Sequence, residues 1–300
     1  MTDADTRYRE KMAPLVEEAI KTGNEHKWGI HHYRALASGC LRRYQAEVEQ
    51  ADDPDGDAAF GTALHLWLAH YHYGVPLPDG FTLSDQLPPK GYVSQATLAE
   101  RYAKRFSAAS LGNLLPHVAG PETRLSMMVT LPTGQQEPFA GTLDAPVYLT
   151  DDHCETLQRE RGLTLPGPGP YNIDHKTKTR RSSNLALTYL TDPQFTGYAA
   201  LWQANGGEPL VGTLVNILFR YKEDKDEGFV TLLVPPPDEQ ARLVWLGLIH
   251  AGADRVRRLG PGWMDATRCF EWGRACPQFD VCPRHNWHAI CARVGDHDRA

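Results

Sequence analysis

"GPYNIDHKTKTRR", residues 169–181, decides the fold. The turn-rich run LPGPGP (165–170) delivers the chain into a short strand that carries an acid and a lysine with one residue between them. Side chains alternate faces along a strand. Asn172, Asp174 and Lys176 therefore point one way, and Ile173 and His175 point the other way, toward a core. The D-x-K spacing sets a carboxylate and an ammonium about 7 Å apart along one edge. Taken alone, such a triplet is most often a solvated strand edge. Its partners elsewhere in the chain give it weight.

Upstream, ETRLSMMVTLP (122–132), a turn at TGQQ (133–136) and PFAGTLDAPVYLT (138–150) read as a β-hairpin. Its second arm reads as one strand, with Phe139, Leu143, Val147 and Leu149 on one face and Asp144 on the other. If that arm neighbours residues 171–178, Asp144 and Asp174 converge on one hard cation. Mg²⁺ takes oxygen ligands and is typically held by one or two carboxylates. Lys176 would then orient the attacking water and offset charge on a phosphate.

Downstream, Asp192 and Pro193 read as N-cap and first residue of the helix PQFTGYAALWQAN (193–205), stopped by Gly206 and Gly207. Gln194 and Tyr198, four residues apart, share a helix face near the end that favours phosphate. The plainer alternative is an ordinary amphipathic helix with Tyr198 half buried. LVGTLVNILFRY (210–221) and GFVTLLVP (228–235) read as strands, and 237–259 as a long helix.

Before the hairpin, AAFGTALHLWLAHYHY (58–73) reads as a helix with Asp57 as N-cap and Gly74 closing it. His65 lies one turn after Gly61, and a glycine there costs helix stability unless something must come close. His70 and His72 read as packed or surface residues. Helices are also expected at 8–22 and 31–48, a loop at 75–91, a polar helix near 94–110 and a loop at 151–170. Residues 75–120 read as a helical insertion between core elements, and 260–300 as a cysteine-rich segment without clear period.

Three hundred residues with 41% hydrophobic content describe a soluble globular chain, read here as a single domain. No run approaches the roughly 18 uncharged apolar residues of a membrane span. The start, MTDADTRYRE, lacks a basic and an apolar signal region, so a reducing cytoplasm is expected. A net charge of −6 does not advertise nucleic-acid binding, but a local basic groove matters more than the total. Lys178, Arg180 and Arg181 could track phosphates toward Lys176, with Arg42 and Arg43 as a second bank; a solvated loop is an even alternative.

CFEWGRACPQFDVC (269–282) has the pattern C-x6-C-x5-C at Cys269, Cys276 and Cys282. Clustered cysteines in a cytosolic chain suggest metal or redox chemistry. Cysteine thiolates suit [4Fe–4S] or zinc, and spacing does not choose between them. Cys291, His285 and His288 are further candidate ligands, and Cys269, Cys276, Cys282 and His285 would make a sound zinc site. Cys154 stands alone.

The order GTALH (61–65), GTLDAP (141–146), IDHKTK (173–178), QFTGY (194–198) resembles the PD-(D/E)XK nuclease superfamily. Within it, the chain is most similar to the RecB-like and CRISPR-associated exonucleases and their phage relatives. The resemblance runs from about residue 30 to 285, with departures: proline follows rather than precedes the first acid, in LDAP, Leu41 stands where the family often has proline, and six residues rather than the usual two separate Cys269 from Cys276. It implies an α/β, restriction-endonuclease-like core, a mixed central β-sheet flanked by helices. It implies a Mg²⁺ or Mn²⁺ ion held by His65, Asp144, Asp174 and the backbone carbonyl of His175, with Lys176 as catalytic lysine and Gln194 and Tyr198 handling DNA. By resemblance Cys40 joins Cys269, Cys276 and Cys282 around a [4Fe–4S] cluster that ties the N- and C-terminal segments together, zinc being second choice. The implied activity is a DNA exonuclease acting on single strands or ends in recombination, repair or phage DNA processing, with a helicase, annealing or recombination protein as possible partner and no membrane. The other readings are a non-catalytic nuclease-like subunit that binds DNA or a partner, and a sequence-specific endonuclease.

Overall fold

The structure is a computed structural model that describes residues 29–30, 33, 37, 57–77, 99–104, 106, 121–178, 182–219, 229–259, 270–271 and 274–275. The expected helix at 8–22, nearly all of that at 31–48, Arg42, Arg43, Arg180, Arg181, Cys40, Cys269, Cys276, Cys282, His285, His288 and Cys291 lie outside the described residues.

Helix α1 runs Asp57–Tyr73, so Asp57 is its first residue rather than its cap. Gly74 ends it at φ 73°, a left-handed conformation that glycine adopts without a Cβ penalty. Residues 99–104 and 106 are helical, and Ala99, Tyr102, Ala103 and Phe106 are buried in the same core as α1. Strands β1 (Thr123–Thr130) and β2 (Gln136–Leu143) form the expected antiparallel hairpin. Strand β3 is Ala145–Leu149, α2 is Asp151–Arg161, and β4 is Gly169–Lys178. Helices α3 (Leu185–Leu190) and α4 (Pro193–Ala204) lead to β5 (Gly212–Phe219) and β6 (Phe229–Val234). Helix α5 spans Glu239–Leu259. In the cysteine-rich segment, β7 (Phe270–Glu271) pairs antiparallel with β8 (Arg274–Ala275).

The central sheet has the order β3-β4-β5-β6. β4 and β5 run parallel, and the other two pairings are antiparallel, so the sheet is mixed. A parallel pair needs a crossover; here α3 and α4 provide it. Helices cover both faces. Leu64, Leu68 and Phe106 pack on Ile173, Leu214 and Leu218. Tyr189 and Phe195 pack on Val215, Ile217 and Phe219 from the other side. The hairpin packs separately against α4 and α5, through Phe139, Leu143, Leu201, Trp245 and Ile249.

Two further expectations change. The second hairpin arm is not one strand: it breaks at Asp144 into β2, which pairs with β1, and β3, which pairs with β4. Phe139 and Leu143 therefore enter one core, and Val147 and Leu149 another. The break has a chemical cause, since the Asp144 side chain takes the His175 N–H at 2.7 Å and its carbonyl takes the Glu122 N–H at 2.8 Å. Segment 151–161 is a helix rather than a loop. Thr150 caps it with a reciprocal capping box to His153, acids occupy its first turn, and Gly162 at φ 67° closes it. Only Leu157 of this helix is buried, so it carries no apolar period to read.

Candidate metal centre

Strand register builds the site. Thr123 faces Leu143 across the hairpin, so the next pair outward is Glu122 with Asp144. Ala145 faces Ile173 in the last pair of the β3–β4 ladder, so Asp144 stands one position beyond it, level with Asp174. Three acids thus stand in one row, Glu122 just before β1, Asp144 at the break between β2 and β3, and Asp174 within β4. β3 starts at Ala145, so β4 outlasts it, and among the described residues no strand pairs with the edge of β4 beyond Ile173 on that side. An unpaired backbone edge must find other partners. The His175 N–H finds the Asp144 carboxylate, and the His175 carbonyl lies 3.3 Å from His65 Nε2, presented by α1.

His65 Nδ1 lies 2.9 Å from Glu122 Oε1 and 3.7 Å from Asp144 Oδ2. Donor atoms of His65, Glu122 and Asp144 all lie within 4.8 Å of one another, a set that could hold a metal ion. Glu122 was not identified in the sequence reading. It sits at φ 53°, left-handed for a non-glycine residue, at a cost of about 1–2 kcal/mol. That backbone state places its N–H on the Asp144 carbonyl and its carboxylate on His65. The hairpin as read from sequence would not have found it: counting outward from a turn at TGQQ (133–136) sets residue 122 against residue 147, whereas Leu131 bonds Gln135 across a tighter turn and this register sets residue 122 against residue 144.

Asp174 is fully buried on a central strand, not a solvated edge. Its Oδ1 accepts a hydrogen bond from Lys176 Nζ at 3.0 Å, and its Oδ2 is 2.8 Å from the same nitrogen. Both face the α3–α4 side, where Asp174 pairs with Val215 and Lys176 with Ile217. Asp174 is not part of the three-donor set, but it lies close enough to Asp144 to feel its charge. His175 projects to the opposite, α1 side, with its ring 6.2 Å from that of His65 and 5.1 Å from that of Phe106.

The electrostatics are those of a charged row taken out of water. The Asp174 pKa is raised to about 6, by burial first, with the charge of Lys176 opposing the rise and that of Asp144 adding to it. Burial also raises Asp144, opposed by the charges of His65 and Lys176. Burial would lower Lys176, but Asp174, Tyr198 and Asp144 outweigh it and hold the ammonium above the ordinary lysine value. Burial would lower His65 as well, yet Asp144 and the hydrogen bond and charge of Glu122 raise it to about 9. His175 is pushed well below the ordinary value, by burial first and then by the neighbouring positive charges.

Helix α4 closes the Lys176 side. Asp192 caps it as expected, accepting from the Gln194 N–H at 3.0 Å, and Pro193 is its first residue. The Gln194 side-chain amide donates to the Tyr198 hydroxyl. Burial raises the Tyr198 phenol far above its usual range, so it stays protonated. Glycines bring this helix close: a Cβ on Gly141 would sit 3.3 Å from the Tyr198 ring, and one on Gly197 would sit 2.6 Å from Phe139 Cζ.

These residues open on a cavity of about 610 Å³ lined by His65, Glu122, Asp144, Lys176, Gln194 and Tyr198, among others. Gly61 also lines it, and a Cβ there would meet nothing within 4 Å, so that turn of α1 leaves open space. Arg124, two residues after Glu122 on β1, is a cation in the same lining that the sequence reading did not single out. Lys178 is exposed, 5.6 Å from the Tyr189 ring and outside the cavity lining. Cys154 is a free, half-buried thiol on α2. Among the described residues, no helix is long and apolar enough to cross a membrane.

No family model matches the chain, and no curated protein matches it. Among solved structures, it is similar to one described as "Crystal structure of SSO0001", at 12% identity and a TM-score of 0.40, covering 84% of each chain.

Proposed function

We propose that this chain is a divalent-metal-dependent deoxyribonuclease with a restriction-endonuclease-like core, acting at DNA ends or on single strands. The observation that carries the reading is the row Glu122–Asp144–Asp174 where β4 outlasts β3, flanked by the His65 imidazole and the Lys176 ammonium. Two carboxylates and an imidazole with mutual donor distances inside 4.8 Å fit one divalent ion. Carboxylates suit Mg²⁺ and Mn²⁺, and the imidazole tilts the set toward Mn²⁺. His65, Glu122 and Asp144 would hold the ion, with the His175 carbonyl and Asp174 at its border. When bound, it would act as a Lewis acid toward the phosphate oxygens.

The chain's own residues supply the rest. Lys176, kept charged by Asp174, offsets the negative charge that builds on the phosphate as water attacks in line and the P–O bond breaks. Tyr198, kept protonated and bonded to Gln194, offers a neutral donor at the same wall of the cavity. Arg124 contacts an adjacent phosphate, since two residues along β1 from Glu122 is about 7 Å. Such contacts position the strand without reading its sequence. Cys40, Cys269, Cys276 and Cys282, four thiolates of the right donor chemistry, would hold an iron–sulfur cluster. The test is digestion of end-labelled DNA with Mn²⁺ by the wild type and by Asp174→Ala, which should lose cleavage; an equally active variant refutes the site.

A further inference from the structure

The chemistry proposed above uses the backbone of His175 but not its ring. The peptide N–H donates to Asp144 and the carbonyl faces His65, so this one residue touches two members of the metal centre. The ring lies buried on the α1 face, edge-on to Phe106. What holds it there comes from the next two strands. Asn216 is the direct partner of His175 in the parallel register, and Thr231 is the direct partner of Asn216 in the antiparallel one. Asn216 Nδ2 lies 3.1 Å from His175 Nδ1, and Thr231 Oγ1 donates to Asn216 Oδ1 at 3.5 Å. A polar row therefore crosses three strands, from β6 to the edge of the site.

The Thr231 hydroxyl lies on the Oδ1 side of the Asn216 amide, and the amide nitrogen faces the imidazole. An amide nitrogen can only donate, so this contact is a hydrogen bond when Nδ1 accepts and the ring proton is on Nε2. Asn216 is the polar exception within the run Leu214–Phe219 and is fully buried. Burying an amide among apolar side chains is unfavourable unless it is hydrogen-bonded. An aliphatic residue would pack β5 with no such cost.

We infer that Asn216 is a positioning residue for the metal centre, locking the His175 ring and thereby the peptide group that faces Asp144 and His65. This rests on the proposed metal site. Groups that act behind metal ligands typically change metal affinity by about 10–100-fold when removed. The test is Mn²⁺ titration calorimetry on Asn216→Ala, His175→Phe and the double variant, with unfolding followed separately in urea. Asn216→Ala should bind Mn²⁺ about 10–100-fold more weakly. The double variant should be no weaker than His175→Phe, because both substitutions cut the same link. Asn216→Ala binding as tightly as the wild type, or losses that add fully in the double variant, would overturn the inference. If Asn216→Ala does not fold, Thr231→Val is the milder probe, expected to bind Mn²⁺ several-fold more weakly; unchanged binding counts against the row. A ¹⁵N spectrum of the metal-free wild type tests the link independently of any metal: the His175 proton should be on Nε2, and a proton on Nδ1 would overturn it. A wild type that binds no Mn²⁺ would sink the proposed function and this inference together, while the tautomer would still report on the Asn216–His175 bond.

Discussion

If His65 is a metal ligand, metal binding must expel a proton. Its pKa is about 9 in the metal-free site, because Asp144 and Glu122 outweigh its burial. At pH 6.5 the imidazole is protonated and not available as a donor. Single-proton competition lowers apparent affinity about tenfold for each pH unit below the ligand's pKa. Between pH 6.5 and 8.5 the account predicts Mn²⁺ binding tightening by up to about 100-fold, or about 2.7 kcal/mol. Anaerobic titration calorimetry in two buffers of different ionisation heat would read both the affinity and the proton count. Close to one proton should leave per ion at pH 7. Glu122→Gln removes a ligand together with the hydrogen bond and charge that raise His65, so it should bind more weakly and release fewer protons than the wild type at pH 8. The metal-free fold should show the opposite trend. The folded pKa of about 9 exceeds the ordinary 6.5, so the stabilisation from the His65 ion pairs is complete below pH 6.5 and lost as pH rises through 9. Affinity independent of pH with no proton released would refute the assignment of His65.

Arg124→Gln should weaken DNA binding and lower the slope of log affinity against log salt by about 0.7–0.9, one phosphate contact, while leaving Mn²⁺ affinity unchanged; an unaltered salt slope rules the contact out. Gly197→Ala puts a Cβ 2.6 Å from Phe139 Cζ and 3.1 Å from Trp245 Nε1. Urea unfolding should show a loss of about 1–3 kcal/mol from this overpacking, and a neutral variant would mean that α4 and the hairpin can move apart freely. Anaerobic wild-type protein should be brown and contain iron, and Cys276→Ala should lose both; a colourless zinc protein would move the thiolates to a zinc site.

The elements with local punctuation were readable from sequence. Asp192-Pro193 starts α4 and Gly74 ends α1, because caps and breakers act over a few residues. Strand β4 was readable because its turn-rich entry and its D-x-K triplet are contiguous. What escaped depends on other strands. Asp144 splits an apparently continuous strand because its side chain captures an amide 31 residues away. Glu122 becomes a candidate ligand only through hairpin register, and its left-handed backbone has no sequence mark of its own. The burial of both faces of β4 follows from helices on either side, which no alternation pattern reveals. Helix α2 escaped because its cap pairs Thr150 with a histidine rather than a glutamate and a single leucine is buried.

The central claim is that the acids and the lysine at the end of β4 cut DNA with a divalent ion. Digestion of 5′- and 3′-end-labelled DNA with Mn²⁺, comparing the wild type with Asp144→Asn, Asp174→Ala and Lys176→Met, tests it most directly. Cleavage by the wild type that stops in EDTA and in all three variants is the predicted result; cleavage that survives EDTA, or that any of these variants retains at the wild-type rate, contradicts it.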